Sequence, residues 1–109
     1  MNQSHFDICE YHRVRDKALD YMPEIAARLI PNGKRHGAFW AGVIPEGKAR
    51  FPGSYILDLR SGHCAMMSGS AVLRDIIKAV AFIEDCSLKD GIRRTEIYIG
   101  AAQNARLAA

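Results

Sequence analysis

The sequence predicts an α+β fold, a three-stranded antiparallel β-sheet flanked by N-terminal and C-terminal helices. Apolar residues recur at helical spacing at both ends of the chain, and short strand-like segments separated by turn residues fill the middle. A length of 109 residues, 49% hydrophobic and 25% charged, suits one domain over 1–109. Its core is expected at about 13–100, with 1–12 and 101–109 peripheral.

Residues 13–30 read as helix in two pieces. Val14, Ala18, Leu19 and Tyr21 form a partial stripe, which Asp20 to Pro23 interrupts. Pro23 is acceptable at the start of a helix, and Ile25, Ala26, Leu29 and Ile30 follow at helical spacing. Pro31-Asn32-Gly33 is a stop and a turn, which should expose Lys34 and Arg35. Strands are expected at Phe39–Ile44, Ser54–Arg60 and His63–Met67. The second alternates, with Tyr55, Leu57 and Leu59 on one face and Ile56, Asp58 and Arg60 on the other.

A long helix is expected next, with Ser70 as N-cap and Val72, Leu73, Ile76, Ile77, Val80 and Ile83 on one broad face. Ser87 caps another, lined by Leu88, Ile92, Thr95 and Ile99 and stopped at Gly100, after which a frayed tail is expected.

No apolar run approaches the ~18 residues of a membrane span. The N-terminus lacks the pattern of a secretion signal, so a cytoplasmic location is expected, with Cys9, Cys64 and Cys86 as free thiols. His5, Cys9 and His12 are the one compact set of metal-ligand types, and a fourth ligand would have to come from His36, His63 or Cys64. No metal and no cofactor are expected. Paired carboxylates, a nucleophile elbow and a phosphate loop are all missing from the sequence, and pairs of Cys64 with His36 or His63 are the sole nucleophilic candidates, so no enzyme is expected.

The net charge of +3 is unevenly spread: Arg28, Lys34, Arg35, Lys48 and Arg50 face one acid, Glu46, across that stretch. The candidate binding residues are Lys34, Arg35, His36, Trp40, Lys48 and Arg50, cations that attract phosphate beside aromatics able to stack on bases. Phe39 and Tyr55 are further stacking candidates, although core filling is the commoner fate of such aromatics. No helix carries a row of Arg, Asn and Gln suited to the major groove, so single-stranded DNA, with little sequence preference, is the expected nucleic-acid form.

The order of these pieces resembles the N-terminal zinc-ribbon-like domain of bacterial, phage and plasmid DNA primases. The matching segments are Ile25 to Ile30, Pro31-Asn32-Gly33-Lys34-Arg35-His36-Gly37, Phe39-Trp40, Ser54 to Gly62, Asp75-Ile76-Ile77 and Cys86-Ser87-Leu88-Lys89-Asp90-Gly91-Ile92. Together they cover about 22–100. The zinc-binding members need four ligands. Here Ala38 to Val43 holds neither Cys nor His, and Cys64-Ala65-Met66-Met67 stands where a Cys-x2-Cys would fall. Met66-Met67-Ser68-Gly69 replaces an Asp-Phe-Ala-Thr-Gly segment of zinc-less relatives, in which packing substitutes for the metal. The resemblance therefore implies a zinc-less form of the ribbon, detached from the polymerising parts of a primase. It implies a phage or mobile-element protein that contacts nucleic acid or a host nucleoprotein complex. A small anti-CRISPR-like inhibitor of a host defence complex, acting by protein–protein binding, is the alternative.

Overall fold

A computed structural model describes residues 7–47, 51–69 and 71–108. Helix α1 (Ile8–Ala18) runs through a 3-10 segment (Leu19–Tyr21) into α2 (Met22–Leu29). The strands are β1 (Lys34–His36), β2 (Phe39–Ile44), β3 (Gly53–Asp58), β4 (Cys64–Met66) and β5 (Val72–Leu73), followed by α3 (Ile76–Ile83) and α4 (Leu88–Ala108). The fold is α+β, and the strands form one antiparallel meander in the order β1-β2-β3-β4-β5.

The sheet thus has five strands where three were expected. Lys34–His36, expected in an exposed turn, pairs with β2 through a two-residue connection in which Gly37 takes the left-handed conformation (φ 61°). Val72–Leu73, expected inside a helix, pairs with β4. The helix that follows starts later because Asp75 caps it, its carboxylate accepting from Lys78 N at 2.9 Å. Ser70, the expected cap, lies outside the described residues.

Helix α1 begins at Ile8 because the Asp7 carboxylate accepts from Cys9 N at 2.8 Å and Glu10 N at 3.3 Å. Tyr11, Val14 and Ala18 form its buried stripe. The 3-10 segment comes just before Pro23, which has no N–H to donate to the preceding turn, so the ladder tightens and re-forms as α2. At the other end α4 passes through Gly100 without stopping and buries Ala102, so the expected tail is helix.

The helices cover one face of the sheet. Tyr55, Leu57 and Cys64 point into this layer and are buried with Met22, Ile25, Ile30, Ile76, Ile77 and Val80. Close approach needs glycine at two places. A Cβ on Gly33 would lie 2.0 Å from the Trp40 indole nitrogen, and one on Gly42 would lie 2.6 Å from Gly33 Cα. These glycines let the turn after α2 fold down against β2. Among the described residues, the opposite face of the sheet carries no helix. Among the described residues, no helix is long and apolar enough to cross a membrane.

Candidate nucleic-acid interface

Strand register decides which side chains occupy the uncovered face. Successive residues of a strand point to opposite sides. Trp40 is paired with Leu57, and Leu57 with Cys64, so all three share the helix-covered side. The outer face is then organised in rows across the strands. One row runs His36, Phe39, Asp58, with His63 beyond, where Asp58 N donates to His63 O at 2.8 Å. The next runs Lys34, Ala41, Ile56, Ala65, Val72. A third holds Val43, Ser54 and Met67.

The middle row is short in side chain at Ala65, and the face sinks there. Phe39, Ile56, Asp58, His63, Cys64, Ala65 and Val72 line a shallow depression of about 190 Å³. Phe39 stands beside it, 36% exposed, with the Arg60 guanidinium over its ring at 5.4 Å from the centroid. Arg60 is held from the other side by Asp58. Its Nε donates to Oδ1 at 3.1 Å and its Nη2 to Oδ2 at 3.2 Å, while Arg60 N also donates to Oδ1 at 2.9 Å. These hydrogen bonds, led by those of the guanidinium, hold the Asp58 carboxyl below its usual range despite some burial. Arg60 is therefore fixed between an aromatic ring and an ionised carboxylate.

Among the described residues, the helical layer holds both paired and unpaired cations. There, Arg13 pairs with Glu96 at 3.1 Å, Arg94 with Glu84 at 3.0 Å, and Arg106 with Glu24. Lys34 and Arg35 form no ion pair with any of the described residues; Arg35 Nε donates instead to the Gly37 carbonyl at 2.9 Å. Both side chains and His36 are exposed.

Of the residues expected to bind, Lys34 and His36 thus share the outer face with Phe39, whereas Arg35, paired with Trp40, belongs to the other side of the same edge strand. Trp40 does not join them as a stacking surface. Its indole N–H donates to the Ile30 carbonyl at 2.9 Å, and the ring packs over Gly33 on the covered side. Tyr55 is fully buried, and its hydroxyl donates to the Phe51 carbonyl at 2.6 Å. Lys48 and Arg50 lie outside the described residues. Asp58, Arg60, Ala65 and Val72 were not singled out as binding residues from the sequence. The alternation of Ser54–Arg60 did place Asp58 and Arg60 on one face, which was the available signal.

Among the described residues, no group of three or more His, Cys, Asp or Glu side chains is placed to hold a metal ion. Cys9 is exposed on α1, and His5 lies outside the described residues. Cys64 does not pair with the histidines: it sits on the covered side, whereas His36 and His63 belong to the outer row. Burial pushes its thiol up to about 12, so it is a packing group rather than a nucleophile. Comparison with family models, curated proteins and solved structures gives no match.

Proposed function

We propose that the chain is a non-catalytic binding protein that holds single-stranded nucleic acid, free or within a nucleoprotein complex, against the outer face of its sheet. The observation that carries this reading is the row His36, Phe39, Asp58 with Arg60 stacked on Phe39, bordered by Lys34, which has no ion pair among the described residues, with the exposed Arg35 on the same edge strand. An exposed ring beside mobile cations is the pairing that single strands require, one part meeting bases and the other phosphates. The residue-level resemblance to primase ribbons supports it, and on this reading the sheet is a zinc-less counterpart of that ribbon. A cytoplasmic protein of a phage or mobile element is the setting it implies.

A second reading, a protein-directed inhibitor of a host defence complex, is favoured by the aliphatic character of Ala41, Ile56, Ala65 and Val72 in the middle row. Two measurements separate them. Anisotropy of a labelled single-stranded oligonucleotide should show binding that weakens with salt, at a slope of about −0.7 per neutralised phosphate. Lys34→Glu with Arg35→Glu should weaken it strongly with the melting temperature unchanged, because exposed substitutions shift stability by only ~0.5 kcal/mol. No binding at low salt, together with a nuclease-resistant complex captured from host lysate, would replace this reading with the inhibitor.

A further inference from the structure

Arg60 has more donors than its present partners use. A guanidinium carries five N–H donors in a planar fork. Asp58 takes those on the Nε and Nη2 side. Among the described residues, nothing accepts from Nη1, so the end of the fork formed by Nη1 and the second Nη2 hydrogen is open. The Arg60 side chain is 69% exposed, yet its plane is set by Asp58 below and by Phe39 alongside. The two residues that hold it, Phe39 and Asp58, line the depression together with Ala65. A base settling in that depression meets two parallel donors whose direction is already fixed.

We propose that Arg60 reads one base of the bound strand, selecting bases that present two adjacent acceptor atoms, guanine through O6 and N7 or cytosine through O2 and N3. This rests on the reading of the outer face as a single-strand surface and departs from the expectation of little sequence preference. The selectivity follows from donor and acceptor matching. Adenine places an amino donor beside N7, and thymine separates its two carbonyls by an N–H, so each would set a donor against the fork. A flexible arginine would lose entropy on binding, whereas one already pinned by a carboxylate and a ring loses less. Asp58 acts as a positioning residue: it orients Arg60 and does not itself contact the base. The depression supplies room, since its floor is Ile56 and Ala65 rather than long side chains.

The test compares labelled oligothymidylates of about twelve nucleotides, a length within the site sizes of single-strand binding folds. Each is unmodified or carries one central guanine, cytosine or adenine, and anisotropy is read at low salt. The protein is expected to bind the guanine and cytosine probes roughly tenfold more tightly than the other two, the discrimination a two-point contact supplies. Arg60→Lys keeps the charge but loses the fork, so the ratio of the guanine and cytosine probes to the unmodified one should fall to about one, whatever the change in overall affinity. Asp58→Asn retains an Oδ1 acceptor for Arg60 N and should weaken the preference in part. Ala65→Leu, which fills the floor, should abolish it in a protein whose melting transition is intact. Equal binding of all four probes, or a preference that survives Arg60→Lys, would overturn the assignment while leaving the single-strand surface standing. Absence of binding to every probe would overturn both.

Discussion

Neighbouring aromatics on β2 are assigned opposite duties, and truncating each in turn tests the whole placement. Phe39→Ala removes a ring that is partly exposed on the outer face and carries Arg60. Its cost to stability is the exposed cation–π contact, about 0.5–1 kcal/mol, plus the contacts of a half-covered ring. Its cost to binding is one stacking platform, ~1–3 kcal/mol per base, or roughly 5- to 150-fold in Kd. Trp40→Phe has the reverse profile. It deletes the indole N–H that donates to the Ile30 carbonyl, an acceptor that keeps its bond from Gly33 N at 3.0 Å, and it loses the part of the ring packed over Gly33, so the hydrogen bond alone costs about 0.5–1.5 kcal/mol. For a domain near this size each kcal/mol lowers the melting midpoint by roughly 4–8 °C.

The assay is therefore paired: a thermal melt, and oligonucleotide anisotropy well below both midpoints. Phe39→Ala should bind weakly and melt only a few degrees below the parent, still folded at the assay temperature. Trp40→Phe should melt earlier and bind as the parent does. Binding that depends on Trp40 and not on Phe39, in proteins verified as folded, would mean that single strands do not lie on the outer face.

Other predictions concern the frame that holds this face. Tyr11 donates to the Asp75 carboxylate at 2.5 Å, tying α1 to the cap of α3 inside the core, and burial leads the causes that raise its hydroxyl well above the usual phenol range. Tyr11→Phe should cost about 1.5–3 kcal/mol in urea unfolding, and an unchanged midpoint would remove the bond from the account of stability. Glu24 is held below its usual range first by hydrogen bonding from Arg106. Its contribution is present above the ordinary glutamate value of about 4.3 and is lost as pH falls from there toward the lowered folded value. Glu24→Gln should accordingly flatten the acid limb of a stability–pH curve, and an identical limb would count against the pair. Finally, treatment with a strong chelator should leave the melting transition in place; its collapse would point back to Cys9 and His12, with His5, as ligands.

Local patterns announced the helices, and local reasons explain where they were misjudged. The stripes of α2 and α3 were legible because Ile25, Ala26 and Leu29, then Ile76, Ile77, Val80 and Ile83, repeat at helical spacing and are buried. Val72 and Leu73 extend the second stripe in sequence, but Asp75 takes an extended conformation as N-cap and so cuts them off. A short apolar pair upstream of a helix is ambiguous until a partner strand is known. Gly100 misled in the opposite sense: glycine weakens a helix by only ~1 kcal/mol, and burial of Ile99 and Ala102 on either side of it carries α4 onward.

The site was harder to read than the fold because it depends on phase between strands. Phe39-Trp40-Ala41-Gly42-Val43-Ile44 is apolar throughout, so nothing local states which alternate set faces the helices. The neighbouring β3 does state its phase, since Tyr55, Leu57 and Leu59 are all apolar, whereas the other set mixes Ile56 with the charged Asp58 and Arg60. Register then transfers that phase: Trp40 opposite Leu57 must go inward, and Phe39 opposite Asp58 outward. A shift of one residue would have exposed Trp40 and buried Phe39. What prevents it is the fit on the covered side, where Gly33 and Gly42 leave room for the turn and Ile30 offers a carbonyl to the indole. The outer face is thus fixed by packing on the opposite side of the sheet, which sets Phe39 outward before Asp58 and Arg60 arrange themselves around it.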